Sequence, residues 1–205
     1  MAKELNRDLV NEVRKKGVLR SQRIIEAFMK VDRRDFVPKG WEDDTHLDTP
    51  VPIPGGMTTS QPSTIAFMLE ILNPRPSEKI LEIGTGSGYV TALLAQIVGE
   101  KGEIHSVEVL PELNKFASEN LKKYKFKNTK LYLGDGKKRV PHGAPYEKII
   151  SGAEVPEIPD AWNKQLKNGG IIVTPFDNHV LKATKVSENK FKHGEYPYFR
   201  FIKMA

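Results

Sequence analysis

The sequence predicts an α/β fold in which helices cover both faces of a mostly parallel, doubly wound sheet. From residue 79 onward, short apolar strands alternate with amphipathic helices, and this alternation is typical of parallel sheets. Before that point the chain shows helical patterns and a long irregular segment, and its last part has strand-like runs with no helix between them. We therefore predict a single domain over residues 1–205, with helices and a loop in 1–75 and the sheet in 76–205.

The composition narrows the class of protein before any motif is considered. The chain of 205 residues contains no cysteine, which excludes disulfides, thiolate zinc sites and a cysteine nucleophile. No stretch approaches the roughly 18 apolar residues that a membrane span needs, and the first residues lack the apolar core of a secretory signal. We therefore expect a cytoplasmic protein with no membrane partner. The five histidines, at positions 46, 105, 142, 179 and 193, show no ligand spacing, so we expect no metal.

The chain is basic, with 32 Lys and Arg against 26 Asp and Glu and a formal net charge of +6. This surplus permits a polyanionic partner. Much of it lies in residues 112–130 and 179–205, where aromatic side chains do not alternate with Arg as they do in a base-stacking platform. A solvated, lysine-rich surface is therefore favoured over a nucleic-acid site. A nucleic-acid-binding module with a relic cofactor pocket is the alternative from another class of function.

Apolar residues at helical spacing predict two helices near the N-terminus. The first covers residues 3–16 and ends at Gly17, and Ser21 is expected to cap the second. Their buried faces comprise Leu5, Leu9, Val10 and Val13, and then Ile24, Ile25, Phe28 and Val31. Residues 36–56 contain four prolines and no sustained periodicity, and an irregular segment of this length is usually functional or disordered. Pro62 suits the first turn of a third helix, which should end before Asn73.

The alternating segment is divided into elements by its periodicity. The predicted strands are Lys79–Ile83, Glu103–Glu108, Lys130–Leu133, Tyr146–Ser151 and Ile171–Pro175, and the predicted helices are Tyr89–Val98, one that begins at Pro111, and Asp160–Leu166. Gly169 and Gly170 are expected to stop the last of these helices. The runs Val180–Val186 and Tyr198–Lys203 should add antiparallel strands at the edge of the sheet.

The strongest local motif is a glycine-rich turn between the first of these strands and the helix after it. The sequence ILEIGTGSG places Glu82 before Gly84, Gly86 and Gly88. Glycines allow a tight turn and a close approach of ligand to backbone at the carboxyl end of a strand. Tyr89 stands where a dinucleotide fingerprint has Gly or Ala, and no Lys-Ser/Thr pair follows, which rules out the phosphate loop of an NTPase.

Two further acids follow the next two strands. Glu108 ends the second strand, twenty residues after the glycine turn, where a carboxylate can accept hydrogen bonds from both hydroxyls of a ribose. Asp135, between Gly134 and Gly136, can accept from an adenine amino group. A charged strand end and a simple turn are the corresponding structural alternatives. Together with Glu82, these acids describe an adenosyl pocket that needs no phosphate, which favours S-adenosylmethionine over NAD.

These motifs, and the segment before them, resemble the protein-L-isoaspartate (D-aspartate) O-methyltransferases over nearly the full length of the chain. LEIGTGSGYVTALLA is similar to the family's cofactor loop, IHSVEVLPEL to its ribose-acid strand, and LYLGDGKKRVPHGAPYEKIISGAEVPEIPDAW and LKNGGIIVTP to its third to fifth strands. VDRRDFVP and VPIPGGMTTSQPSTIAFMLEIL are similar to its substrate loop and the following helix. General methyltransferases share only the cofactor motifs, so this earlier segment makes the resemblance specific.

The resemblance implies a Rossmann-like S-adenosylmethionine-dependent methyltransferase fold. It also implies methylation of the free carboxylate of L-isoaspartyl residues in damaged proteins, with D-aspartyl residues as a further candidate substrate. The ester then closes to a succinimide that reopens partly to aspartate. Ser60 matches the serine that the family uses in catalysis, with Thr59 beside it. The expected cofactor residues are Glu82, Gly84, Thr85, Gly86, Ser87, Gly88, Glu108, Val109, Asp135 and Gly136, and the expected substrate residues are Pro54, Thr58 and His46.

Three positions depart from the family pattern. Lys137 stands where the family often has Tyr, residues 45–48 (Thr-His-Leu-Asp) replace a segment that more often begins Ala-Tyr, and residues 151–153 (Ser-Gly-Ala) replace Thr-Ala-Ala. We expect these departures to alter the pocket walls, and therefore substrate preference, more than the reaction.

Carboxyl methylation is chemistry that these residues can support. A carboxylate with a pKa near 4 is ionised at neutral pH, so the transfer needs alignment and not a general base. The hydroxyls of Ser60 and Thr59, with N–H groups at the helix start before Pro62, can hold the acceptor. Residues 58–60 are also an ordinary helix-cap sequence. The alternative among enzymes is a methyltransferase that acts on RNA or a small molecule, although the Asn/Asp-Pro-Pro-aromatic run of many amine methyltransferases is absent.

Overall fold

The computed structural model describes residues 2–138, 140, 143–188, 190–197 and 204, with side chains from Asn6 onward. Its α-helices are α1 (Ala2–Lys15), α2 (Gln22–Lys30), α3 (Pro62–Leu72), α4 (Tyr89–Val98), α5 (Pro111–Leu121) and α6 (Asp160–Gln165). Its strands are β1 (Val51–Ile53), β2 (Met57–Thr59), β3 (Lys79–Ile83), β4 (Glu103–Glu108), β5 (Thr129–Leu133), β6 (Tyr146–Ser151), β7 (Leu166–Phe176), β8 (His179–Ser187) and β9 (Lys190–Pro197). Short 3-10 turns cover Arg33–Phe36, Glu42–His46, Pro54–Gly56 and Lys122–Tyr124.

Strands β3 to β9 form a seven-stranded sheet in the order β5-β4-β3-β6-β7-β8-β9. The pairs between β5 and β7 are parallel, and β8 and β9 are added antiparallel. Strand β3 pairs with β4 on one side and β6 on the other, so the winding of the chain reverses there. Open α/β sheets bind ligands at this reversal, where the glycine turn lies. The predicted α/β class and the mostly parallel sheet with its antiparallel C-terminal edge are confirmed.

Helices cover both faces of the sheet, as the alternation predicted. On one face a large hydrophobic cluster joins α1, α2, α3 and α4 to the strands. On the other face a smaller cluster surrounds the fully buried Trp162 of α6. The larger cluster contains residues from both parts of the chain, such as Phe28 and Leu93. No helix among the described residues is long and apolar enough to cross a membrane.

The predicted boundaries of β3, α4, β4 and β6 match the structure residue by residue. The expectation that the side chain of Ser21 caps α2 is wrong. Ser21 occupies the N-cap position, but its side chain makes no capping bond and its hydroxyl instead donates to Glu70 Oε2 at 2.7 Å. Ser21 therefore ties the start of α2 to α3.

Two further expectations concern the end of the sheet. Helix α6 ends at Gln165, because Leu166 already belongs to β7 and pairs with Tyr146; Gly169 and Gly170 lie inside the strand and do not stop the helix. The strand predicted at Val180–Val186 is confirmed as β8. The strand predicted at Tyr198–Lys203 lies outside the described residues, and the edge strand that the structure describes is β9.

Candidate active site

A cavity of about 260 Å³ lies at the carboxyl ends of β3, β4 and β6. Most of the predicted site residues line it, namely Thr58, Thr59, Ser60, Glu82, Gly84, Thr85, Gly86, Ser87, Glu108, Val109, Asp135 and Gly136. Three predicted residues do not. Pro54 begins the 3-10 turn at the tip of the β1–β2 hairpin, His46 ends the 3-10 turn that begins at Glu42, and Gly88 is the N-cap of α4.

The cavity wall is mostly apolar, and the charged side chains that line it are acidic. The described lining residues that the sequence did not assign to the site include Ile53, Met57, Ile65, Met68, Tyr89, Leu110, Leu113, Ser151, Gly152, Ala153 and Met204. The charged side chains among the described lining residues are the carboxylates of Glu82, Glu108 and Asp135, with no Lys, Arg or His. Such a cavity suits a cationic ligand with apolar parts and opposes a phosphate group.

Hydrogen bonds to its backbone hold the glycine turn in place. The N–H of Gly84 donates to the carbonyl of Val107 at 2.8 Å, and the buried amide of Asn120 donates to the carbonyl of Ser87 at 3.0 Å. The three glycines of the turn have φ angles of 82°, 55° and 86°, which a residue with a Cβ adopts only under strain. The turn is therefore fixed to its neighbours before any ligand binds.

Glu82 lies beneath this turn and is 2% exposed. It accepts a hydrogen bond from the Thr91 hydroxyl in α4, and Ser106 also bonds to it. Burial, with a smaller contribution from the charge of Glu108, raises the pKa of Glu82 to about 7 despite these bonds. A cation in the cavity would favour its ionised form.

Glu108 ties the end of β4 to the glycine turn. Its Oε2 accepts from Gly86 N at 2.9 Å, and its Oε1 accepts from Val109 N at 2.9 Å and Leu110 N at 3.1 Å. A carboxylate offers about four acceptor positions. One position on Oε2 therefore stays open for a ribose hydroxyl, and a second hydroxyl would have to share an oxygen already in use.

Asp135 and Gly136 form the third wall of the cavity. Asp135 is half-buried and its Oδ1 accepts from the N–H of Lys137 at 2.9 Å, so the exposed Lys137 contributes its backbone to the site. A Cβ on Gly136 would lie 2.4 Å from Ile83 Cγ2. The indole of Trp162 donates to the Gly136 carbonyl at 2.7 Å. Only glycine fits here, and the buried Trp162 fixes the turn from below.

The β1–β2 hairpin closes the cavity on the opposite side. Its tip contains Gly55 with φ +73°, where a Cβ would lie 2.8 Å from Glu112 Oε1 in α5. Ile53 approaches the glycine turn, with its Cδ1 3.7 Å from the place of a Gly86 Cβ. The hairpin therefore packs on α5 and over the glycine turn, and its inner side chains face the same cavity.

Ser60 follows this hairpin and precedes α3. The helix begins at Pro62 with Gln61 at the N-cap position and no side-chain cap there, and the N–H of Ser63 donates to Asp48 Oδ1 at 2.8 Å. Asp48 therefore caps α3, and the helix-cap interpretation of residues 58–60 is wrong. Among the described residues the Ser60 hydroxyl has no hydrogen-bond partner, which leaves it available to a ligand.

Asp48 joins three elements around Ser60. Its Oδ2 also accepts from the Nζ of Lys16, the residue directly after α1, at 2.6 Å and from Gln61 Nε2 at 3.2 Å. Burial alone would raise the pKa of Asp48, but the hydrogen bonds from Lys16 and Ser63 outweigh burial and lower it. The N-terminal helix is thus connected to the start of α3 through one ionised carboxylate.

Arg33 holds the backbone on both sides of this carboxylate. The side chain is 1% exposed, and its guanidinium donates to the carbonyls of Leu47 at 3.1 Å, Thr49 at 2.7 Å and Ser60 at 3.3 Å, with a longer contact to Thr45 at 3.5 Å. Burial lowers its pKa. Its partners are neutral carbonyls, so its positive charge is not cancelled by a bonded carboxylate.

Four residues that the sequence did not assign to the site therefore shape it: Arg33, Asp48, Asn120 and Trp162. Arg33 lies in VDRRDFVP, within the segment that carries the resemblance, so that motif was the available signal. Asp48 lies in one of the departures from the family pattern. No pattern in the sequence connects Asn120 or Trp162 to the turns they hold. No group of three or more His, Cys, Asp or Glu among the described residues could hold a metal ion.

Comparison with known proteins agrees with this architecture. The family model for protein-L-isoaspartate (D-aspartate) O-methyltransferase matches residues 3–204. A protein-L-isoaspartate O-methyltransferase of Methanopyrus kandleri is 43% identical over 184 residues, covering 89% of this chain and 81% of that protein. One of Pyrococcus horikoshii is 42% identical over 172 residues, covering 84% of this chain and 77% of that protein.

Two solved structures share the fold. A protein-L-isoaspartate O-methyltransferase structure superposes with a TM-score of 0.89 at 28% identity, covering 98% of this chain and 66% of that one. A Plasmodium falciparum chain, reported as a protein-L-isoaspartate O-methyltransferase in complex with S-adenosyl-L-homocysteine, superposes with a TM-score of 0.86 at 21% identity, covering 100% and 98%. The chain belongs to the protein-L-isoaspartate (D-aspartate) O-methyltransferase family.

Proposed function

We propose that this protein transfers a methyl group from S-adenosylmethionine to the free carboxylate of L-isoaspartyl residues in damaged proteins and peptides. The observation that supports this most directly is a cavity whose described lining residues include three acids and no basic side chain, and which includes Ser60, whose hydroxyl has no hydrogen-bond partner among the described residues. Family membership supplies the substrate class. D-Aspartyl residues are a further candidate substrate.

The cavity residues fit S-adenosylmethionine. When bound, this cofactor supplies the methyl group from a positively charged sulfonium. Glu82, Glu108 and Asp135 provide negative charge around an otherwise apolar wall, and the open position on Glu108 Oε2 suits a ribose hydroxyl. A pyrophosphate would meet carboxylates without any basic side chain among the described lining residues, so the same wall disfavours a dinucleotide.

The acceptor side fits an anion. The Ser60 hydroxyl, with Thr59 and Thr58 beside it, can donate to a carboxylate at the start of α3. Arg33 adds a positive charge behind the Ser60 carbonyl, and Asp48, the acid whose charge acts on Arg33, is already paired with Lys16. An ionised carboxylate needs no proton removed before it reacts, so these residues need only hold and desolvate it.

The test compares two peptides that differ in one linkage. A peptide with an L-isoaspartyl residue and its aspartyl twin are incubated with methyl-labelled S-adenosylmethionine. We expect label on the isoaspartyl peptide alone, in a form that mild base removes, as esters of this kind hydrolyse readily. Equal labelling of both peptides, or a base-stable product on RNA or a small molecule, would contradict the proposal.

A further inference from the structure

An Asn-Gly pair lies in the first part of β7, away from the cavity. Asn168 is the one asparagine in the sequence that glycine follows. Both residues are exposed, and among the described residues no hydrogen bond holds the Asn168 side chain. Gly169 has φ +78°, and a Cβ built there would contact nothing within 4 Å. The space around this peptide bond is therefore open.

Strand pairing is interrupted at this pair. Leu166 pairs with Tyr146, and Ile171 pairs with Lys148. Four residues of β7 therefore lie between these two pairs, whereas only one residue of β6 does. On the other side of β7, pairing with β8 begins only at Ile171. Residues 167–170 therefore form a bulge with no partner residue on either neighbouring strand, and a bulge tolerates a change in backbone length better than a paired strand does.

We propose that Asn168–Gly169 is a site at which this protein deamidates and becomes a substrate for a second copy of itself. The backbone nitrogen of Gly169 forms a bond to Cγ of Asn168 and loses its proton, and the side-chain nitrogen leaves as ammonia. Water then opens the resulting succinimide at its α-carbonyl, which yields an isoaspartyl residue with a free carboxylate. Water is the only co-reactant. The methylation that follows rests on the proposed function.

Glycine is what makes this position reactive, because no side chain hinders the attacking nitrogen. The exposed Asn178, in the turn between β7 and β8, provides a contrast, because His179 and not glycine follows it. The Asp135–Gly136 pair differs in its surroundings, since Gly136 is packed against Ile83 and its carbonyl is held by Trp162. Asn168 alone combines a following glycine, exposure and an unpaired backbone.

The methylation must occur between copies. The bulge lies at the amino ends of the parallel strands, next to Tyr146, whereas the cavity lies at their carboxyl ends, next to Ser151. With about 3.3 Å per residue, the length of β6 separates the two edges by about 17 Å of sheet. The Ser60 of one chain cannot reach its own Asn168. Because damage in the bulge breaks no pairing, the damaged copy keeps its own cavity and its activity.

The experiment ages the whole protein in warm, mildly alkaline buffer and then supplies fresh enzyme and methyl-labelled S-adenosylmethionine. Mass spectrometry of the peptide that contains residue 168 reports deamidation independently of any methylation. We expect deamidation there, label on the same peptide, and a labelling rate that rises with the concentration of fresh enzyme. Aged Ser60→Ala protein should be labelled by fresh wild type as well, since the damaged copy acts as substrate only.

Two variants complete the test. Asn168→Gln should lose most of the label after ageing, and Asn178→Gln, at the exposed asparagine followed by histidine, should keep it. An intact Asn168 amide after ageing, or equal labelling of aged Asn168→Gln, would overturn the proposal. A synthetic isoaspartyl peptide in the same assay distinguishes failure of this inference from failure of the proposed function. If the peptide is labelled and the deamidated protein is not, the present inference fails. If neither is labelled, the proposed function fails.

Discussion

The two sides of the cavity are built by different means. On the cofactor side, groups at the ends of paired strands hold the glycine turn: Glu108 at the end of β4 accepts from Gly86 after the neighbouring strand β3, and from Val109 and Leu110 directly after its own strand. On the acceptor side, Ser60 lies between irregular segments, and the side chains of Arg33 and Asp48 connect them over distances of 15 to 27 residues in sequence.

This difference has consequences for stability and for function. Strand pairing fixes the cofactor side as part of the sheet. A substitution of a side chain there should therefore change the affinity for the ligand more than it changes the position of the backbone. The acceptor side depends on a buried cation and a buried carboxylate, and removing either leaves several polar groups without partners. Such groups are costly when buried. The predictions below contrast the two sides, from the largest expected effect to the smallest.

Arg33→Met should be the most damaging change, because it leaves buried carbonyls unsatisfied around Ser60. We expect the free energy of unfolding to fall by about 4 kcal/mol, together with a loss of turnover. Arg34→Met, in the same 3-10 turn, removes a partly exposed pair with Asp32 and should cost less than about 1 kcal/mol. Urea unfolding of both variants measures the difference, and similar losses would show that Arg33 has no special role.

Glu82 should make the stability of the protein depend on pH. Its pKa is about 7 in the folded chain against an ordinary value of 4.5, so the folded state binds the extra proton between these values. Stability should therefore fall as pH rises from about 4.5 to 7, by about 3 kcal/mol without cofactor, and level off above. Urea unfolding at several pH values should show this slope, and Glu82→Gln should remove it. An unchanged slope in that variant would assign the effect to another group.

Glu108→Ala should act mainly on the cofactor. It removes the acceptor of three N–H bonds and the open position for a ribose hydroxyl, and we expect the dissociation constant of S-adenosylmethionine to rise about a hundredfold by calorimetry. Glu103→Ala provides the matched control at the other end of β4, where Glu103 bonds to Lys130 and His105. That variant should bind the cofactor as wild type does.

Ser60→Ala should separate the two sides most cleanly. We expect kcat for an isoaspartyl peptide to fall about thirtyfold, equivalent to about 2 kcal/mol for a hydrogen bond to a charged group, while cofactor affinity changes less than about twofold. Ser63→Ala, at the second residue of α3, should leave both quantities near wild type because the backbone N–H at position 63 still donates to Asp48. A weakened cofactor with normal kcat would reverse our assignment of Ser60.

The sequence predicted the cofactor side of the cavity better than the acceptor side. The glycine turn, Glu108 and Asp135 were predictable because strand periodicity places their positions at one edge of a parallel sheet. The contact of Arg33 with the Ser60 carbonyl was not, since neither residue lies in a periodic element. The cap of α3 was not predictable for a similar reason: residues 58–60 offered a local cap sequence as an alternative, and the observed acceptor is Asp48, fifteen residues before Ser63. A side chain that folds back from an irregular loop has no regular sequence spacing to its partner, so the contact cannot be detected from the sequence.

The hydrogen-bond acceptors of Arg33 also affect how the loop around residues 47–49 can evolve. The guanidinium binds carbonyl oxygens, and every amino acid supplies a carbonyl oxygen whatever its side chain. Positions such as Leu47 and Thr49 are therefore free to drift without moving Ser60, as long as Arg33 and Asp48 remain. The departure from the family at residues 45–48 falls inside this stretch, and of its residues only Asp48 is required to keep its side chain. Selection can thus change the side chains of this loop while the Ser60 hydroxyl stays where it is.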